Sequence, residues 1–271
     1  MSEPTPAQVK ADIAAMFDLG AEDYDRQDVS FFGPVGRWLV DVVAPQPGES
    51  VLDLACGRGA SLLPAAAAVG ASGSVRGVDL APGMVAALQR DVADQQLRWV
   101  ELSVGDAGGP PQGPFDVLLC GLGLFFLPDP AAALRAWRAV LAPGGRVGLS
   151  VFGAPDTAWD TAFKVLLDHL DAPPHEPHPL FAPGAAIALV AEAGFVDVAE
   201  ESRTWDVAFS DIGAWWEWAF ATGFRRMLSG VADQDRQRVQ ADMAGQLSAA
   251  VGPDGRPHWR PELRVITGSA P

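Results

Sequence analysis

The chain has 271 residues, 49% of them hydrophobic and 20% charged, with a formal net charge of −15 at pH 7. That length buries an ample core, as one large domain or a domain with a sizeable insertion. The acidic excess argues against nucleic acid and anionic membranes, both bound mainly through Lys and Arg, and no apolar run reaches the ~20 residues of a membrane span.

The N-terminus has no basic segment followed by a hydrophobic run, so no signal peptide is expected. Two cysteines, Cys56 and Cys120, lie in apparent strands, which fits a reducing, cytoplasmic location. Val9, Ile13, Met16 and Phe17 recur at helical spacing over residues 5–19. After the acidic AEDYDRQD, the segment FFGPVGRWLVDVV reads as a second helix over about 33–43, ended by APQPG. Residues 1–45 are thus expected to form an N-terminal helical segment or lid.

Strand and helix signals then alternate. Strands are predicted over 51–56, 74–80, 97–104, 115–121 and 146–152, with helices over 60–69, 83–94 and 130–141. Such alternation implies right-handed crossovers and a mainly parallel sheet covered on both faces. A helix over 159–170 precedes the Pro/His loop DAPPHEPHPLFAP, and a helix over 185–193 follows it. GFVDVAEESRTWDVAFS reads as a sixth strand, residues 211–250 as helical, and PELRVITGSA as a last strand. An α/β domain over 46–210 and 260–271 would then carry a helical, aromatic-rich insertion over 211–259.

The turn after the first strand, VLDLACGRGASLL, holds Gly57-Arg58-Gly59 but has Leu62 where a dinucleotide turn needs a third Gly or Ala. Asp53, at the end of that strand, suits a cationic ligand without phosphates, such as S-adenosylmethionine (SAM), better than a dinucleotide. Asp79 ends the second strand, placed to accept both ribose hydroxyls, and Asp106 follows the third, beside the Ala107 amide, placed for an adenine amino group. The fourth strand would deliver the backbone of Cys120, Gly121 and Leu122 at the switch point of the sheet. Asp53 and Asp79 also fit plain cap or turn residues, and Asp106 fits a turn former before GGPP.

DLACGRG, VDL, GDA, FDVLLCGLGLFFLPD and LAPGGRV, in that order and spacing, resemble the successive motifs of class I SAM-dependent methyltransferases. The likeness is to the small-molecule branch, which includes ubiquinone- and menaquinone-type and natural-product enzymes, and covers roughly residues 20–152. Ala55 departs from the glycine many relatives carry. The resemblance implies a Rossmann-like α/β fold with sheet order 3-2-1-4-5-7-6, the seventh strand antiparallel. Helices would cover both faces, with the N-terminal helices and an insertion between strands six and seven as caps. It also implies SAM as cofactor, S-adenosylhomocysteine (SAH) as its product, and Tyr24, Ala55, Gly57, Gly59, Leu80 and Met84 among the residues that hold it. Tyr24 equally fits plain packing.

Transfer of a methyl group from a sulfonium is an in-line displacement, and a base is needed only when the acceptor must lose a proton. Where many relatives carry a histidine after the fourth strand, this chain has Leu124-Phe125-Phe126. His175 and His178 are the weak base candidates, with solvated loop residues as the alternative; HEPH is a poor metal motif, and no metal is expected. His169 and His258 read as structural. Trp216, Phe220 and Phe224 recur at i, i+4, i+8, with Trp215 and Trp218 on neighbouring faces, either as a core wedge or as the roof of an apolar pocket. Phe31, Phe32, Phe125, Phe126, Trp215, Trp216 and Phe220 are the expected substrate-side residues. The expected activity is O-, N- or C-methylation of a small apolar or aromatic metabolite, with no nucleic-acid or membrane partner. A SAM-dependent cyclisation or rearrangement, or a SAM-binding module without catalysis, is the alternative, and the oligomeric state is left open.

Overall fold

A computed structural model describes residues 5–24, 29–172 and 176–271. Two helices, α1 (Pro6–Gly20) and α2 (Phe32–Val43), precede the first strand, β1 (Ser50–Leu54). The alternating segment then runs α3 (Leu62–Val69), β2 (Ser74–Asp79), α4 (Pro82–Asp94), β3 (Val100–Val104), β4 (Phe115–Gly121), α5 (Pro130–Val140) and β5 (Leu141–Phe152). Beyond it lie α6 (Asp160–His169), α7 (Ala185–Glu192), β6 (Val196–Thr204), β7 (Val207–Ala208), α8 (Ile212–Phe220), α9 (Arg225–Leu228), α10 (Asp233–Ala244), β8 (His258–Trp259) and β9 (Glu262–Ser269).

The sheet has seven strands in the order β3-β2-β1-β4-β5-β9-β6, with β9 antiparallel to both neighbours and the other pairs parallel. Counting sheet strands alone, this is the expected 3-2-1-4-5-7-6. β1 and β4 read as continuous apolar runs because inner parallel strands are covered on both faces, and from Val51 to Leu54 β1 is buried throughout. One apolar cluster joins α2, α3 and the cap to one face of the sheet; a second, around Leu134, Trp137 and Val190, covers the other. Leu62 is fully buried and lies over Gly77 of β2, where a Cβ would come within 2.4 Å of Leu62 Cδ1. The bulky residue in the glycine turn is thus accommodated by a bare backbone on the neighbouring strand.

Two expectations for the second half are corrected. The single sixth strand is two: β6 ends at Thr204, and β7 turns away to pair with β8. Pro257 and Pro261 flank β8, and each offers only a carbonyl, Pro261 to the Trp205 N–H at 3.0 Å and Pro257 to the Phe209 N–H at 2.9 Å. A chain without those N–H groups cannot continue one ladder through this stretch. The aromatic helix also stops early, at Phe220, so Phe224 does not continue the stripe of Trp216 and Phe220. The first strand ends at Leu54 rather than at 56, and the third starts at Val100 rather than at 97.

Candidate active site

The C-terminal ends of β1, β2 and β3 converge on a group of carboxylates. Asp53, in register with Gly77 and Leu119, is fully buried; its Oδ2 accepts from Ser61 Oγ at 2.8 Å, while Oδ1 has no partner. Burial, reinforced by the charge of Asp79, pushes the Asp53 carboxyl up to about 7, against the hydroxyl of Ser61. Asp79 accepts from the Gly57 N–H at 2.7 Å and the Ala81 N–H at 2.9 Å. Burial still raises its pKa despite those donors. Ala55, Gly57 and Gly59 all have positive φ, which turns the chain back so that the Gly57 amide faces Asp79.

A cavity of about 70 Å³ opens beside this group. Its walls are Ala55, Asp79, Leu80, Asp106 and Ala107, together with Gly123 and Phe126 after β4. The fourth side is α1, through Lys10, Ile13, Ala14 and Phe17. Lys10 Nζ lies 2.5 Å from Asp106 Oδ2, an ion pair that ties α1 to the turn after β3. Burial works to raise the Asp106 carboxyl, but Lys10 and the Gly108 N–H outweigh it and hold it below its ordinary value. Met84 and Tyr24 lie just behind the wall, in a small cluster with Ala21, Phe17 and Ala81.

The remaining predicted cofactor residues lie deeper. Cys120 is fully buried, Gly121 faces Ser61, and the Leu122 N–H is already donated to Ser150 Oγ at 3.0 Å. Lys10, Ile13, Ala14 and Gly123 were not predicted from sequence; α1 meets the cavity only through the tertiary fold.

SAM fits these residues. Asp53 Oδ1 is a buried, unpartnered acceptor, and Asp79 stands in the cavity wall. Burial penalises both negative charges, so a cation is their natural complement.

Beyond Phe126 lies a continuous layer of rings. Phe126 packs on Phe125 with centroids 4.7 Å apart, and Phe125, Phe152 and Phe181 contact one another at 5.2–5.9 Å. These rings are half-buried and are backed by the buried Phe31, Trp218 and Trp259. Phe32 stacks between Tyr24 and Trp218. His178 joins the layer through Phe181 and Phe125, at 5.5 and 6.3 Å. His175 lies outside the described residues.

Of the expected substrate-side residues, Phe31, Phe32, Phe125 and Phe126 are thus brought together. Trp215, Trp216 and Phe220 are not. Trp215 packs on Trp159 and Phe163, Trp216 lies beneath Arg236, and Phe220 lies beneath Arg225. Helical geometry gives the reason. Successive residues turn by about 100°, so Trp218 meets Phe31 while Trp216, two positions earlier, faces α10. Phe152 and Phe181 are the layer members that the sequence did not single out.

Comparisons with known proteins show the family. The methyltransferase-domain family model matches residues 51–145. The chain is 34% identical to Nocamycin O-methyltransferase of Saccharothrix syringae over 252 residues, 86% of this chain and 90% of that protein. It is 42% identical to Aklanonic acid methyltransferase DauC of a Streptomyces species over 143 residues, 52% of this chain and 65% of that protein. The crystal structure of the YcgJ protein of Bacillus subtilis superposes with a TM-score of 0.58 at 17% identity, covering 87% of this chain and 97% of that one, a likeness of fold.

Proposed function

The chain belongs to the class I SAM-dependent methyltransferases of the small-molecule kind, and from that premise we propose that it methylates an oxygen of a flat, largely apolar natural-product metabolite laid on the Phe125, Phe152 and Phe181 rings. The observation that carries this reading is the contact between Phe125 and Phe126, because Phe126 lines the cofactor cavity while Phe125 belongs to the ring layer. A planar acceptor on that layer would meet the cavity edge-on. The name of the first relative supports oxygen as the accepting atom.

When bound, SAM supplies an electrophilic methyl group on a sulfonium. The protein's part is binding and exclusion of water. Asp79 would hold the ribose and Asp106 the adenine edge once Lys10 releases it. Asp53 would balance positive charge through its unpartnered oxygen, while Phe17 and Phe126 keep the reacting face dry. Gly223 of the cap lies against Phe126, where a Cβ would stand 3.2 Å from its ring, so cap and cavity close together. The relatives are named as methyltransferases, and the ring layer offers no feature that favours cyclisation over methyl transfer. A cytoplasmic location belongs to the same proposal, supported by two buried free thiols; no helix among the described residues is long and apolar enough to cross a membrane.

Phe181→Ala tests the acceptor site. It should leave calorimetric SAM affinity within about threefold and cut transfer to planar aromatic acceptors by about tenfold or more, the scale of a lost apolar pocket contact. Trp216→Ala, in the core beneath Arg236, should lower the melting temperature without that selectivity. If Phe181→Ala weakens SAM binding and transfer equally, the acceptor does not lie on this layer.

A further inference from the structure

Asp106 stands in the wall of the cofactor cavity, and the chain after it folds back on it twice. Its Oδ1 accepts the Gly108 N–H at 2.8 Å, and its backbone carbonyl accepts the Gly109 N–H at 3.0 Å. The turn therefore engages one carboxylate oxygen and leaves the other, Oδ2, to Lys10 of α1 at 2.5 Å. Which way this carboxylate points is thus decided by how firmly the Gly108 N–H is held.

The hold comes from α5, behind the turn. Ala133, Leu134 and Trp137 form the buried face of that helix, and Trp137 Nε1 donates to the Ala107 carbonyl at 2.7 Å. Trp137 is fully buried and Ala107 is 9% exposed, so water does not compete for this bond. The Ala107 carbonyl and the Gly108 N–H belong to one trans peptide group, which is planar and points the two in opposite directions. The indole thus grips one edge of a rigid plate whose other edge holds Asp106 Oδ1. Hydrogen bonds in series also polarise one another, so the indole makes the Gly108 N–H a better donor. Without the indole N–H the plate would turn about its flanking single bonds, and the carboxylate would lose its fixed direction.

We propose that Trp137 is a positioning residue: through the peptide group between Ala107 and Gly108 it aims the Asp106 carboxylate, and so sharpens the choice of a 6-amino over a 6-oxo purine on the cofactor. This rests on the reading above that Asp106 holds the adenine edge. A carboxylate oxygen only accepts, and adenine offers it an N–H at position 6. A 6-oxo purine offers a second acceptor at the same place, and the two oxygens repel. An oxygen held in one direction makes this distinction fully, whereas a mobile one must first be ordered and loses part of the gain.

Calorimetry with SAH and its 6-oxo analogue, S-inosyl-L-homocysteine, tests the choice. The wild-type enzyme should bind SAH about tenfold to a hundredfold more tightly, the range for a hydrogen bond to a charged group. Trp137→Phe keeps an aromatic ring in the core but has no N–H, and should lower that ratio by about threefold or more. Val190→Ala, in the same apolar cluster but on α7, should lower the melting temperature and leave the ratio as it is. An unchanged ratio in Trp137→Phe, or an equal drop in Val190→Ala, overturns the proposal. In an Asp106→Ala background, Trp137→Phe should change the ratio no further; an additive effect would mean that the indole does not act through Asp106. Amide hydrogen exchange of the ligand-free wild-type enzyme needs no variant to fold. The half-buried Gly108 amide should exchange about tenfold or more slowly than in an open chain, and an unprotected amide there overturns the proposal. The two levels separate cleanly. If the wild-type enzyme does not bind SAH, or binds both ligands equally, the cofactor reading of Asp106 falls and takes this one with it. Discrimination that survives in Trp137→Phe overturns this one alone.

Discussion

Asp53 is a fully buried carboxylate, and its titration follows from that. Its folded carboxyl is raised to about 7 from an ordinary 3.8, chiefly by burial. Between those values the native state keeps a proton that the unfolded chain has lost, so this group's contribution to stability is greatest in acid, declines as pH rises, and levels off above about 7. Asp53→Asn removes the titration and leaves a side chain that can still bond Ser61. Relative to wild type, the ligand-free variant should therefore gain about 2–3 kcal/mol in urea unfolding between pH 5 and pH 8. A difference that stays constant across that range would show that the carboxyl is not strained. The same two states explain the fit to a cation, which would lower this pKa and release the proton on binding. Asp53, Asp79 and the glycine turn were legible in the sequence because strand ends and a short turn fix their relations locally. Lys10 was not legible as a partner of Asp106, since 96 residues separate them and only the packing of α1 brings them together.

Among the elements, α1 carries the most functional consequence for its size. A capping box at Thr5 and Gln8 starts it, Pro6 takes the first helical position, and its Lys10, Ile13, Ala14 and Phe17 form one wall of the cofactor cavity. Its far end is fixed against the cap by close approach: a Cβ on Gly20 would stand 2.5 Å from the Ala221 carbonyl oxygen. Backbone cannot yield there as a side-chain tip would. Gly20→Ala should therefore cost about 1–3 kcal/mol of stability, as overpacking usually does, and should weaken SAM binding by shifting the α1 wall. Thermal unfolding and calorimetry read the two effects. Unchanged affinity with lowered stability would mean that α1 does not bear on the cofactor. The periodicity that exposed α1 also misled further on, because Trp216, Phe220 and Phe224 keep helical spacing across a real break at Phe220. Apolar spacing reports burial, and here a turn followed by a new helix buries the same rings. Likewise β6 and β7 read as one strand, since the prolines that part them belong to a segment some fifty residues later in the chain.

At the scale of the whole molecule, the alternating pattern was enough to fix sheet order and connection, because parallel crossovers leave few alternatives. Charge is the other global property, and it makes an opposing pair of demands. Exposed Glu200, Glu201 and Arg203 along the outer strand β6 discourage edge pairing with another chain, but a formal net charge of −15 strains the compact state by self-repulsion. Salt screens both this repulsion and the attractive ion pairs, so the sign of its effect depends on which is larger. Exposed pairs such as Arg76–Glu101 and Arg238–Asp235 are individually worth about 0–1 kcal/mol at most. The unbalanced charge acts over the entire surface within a Debye length, and it should prevail. Raising sodium chloride from about 20 to about 300 mM should therefore raise the melting temperature by about 2–5 °C, and a decrease would show that the ion pairs dominate. The same field acts on an anionic acceptor approaching the ring layer. For a carboxylate acceptor, KM should fall as salt rises over that range, while an uncharged phenol of the same shape should show no such trend, a contrast that steady-state kinetics reads without any substitution.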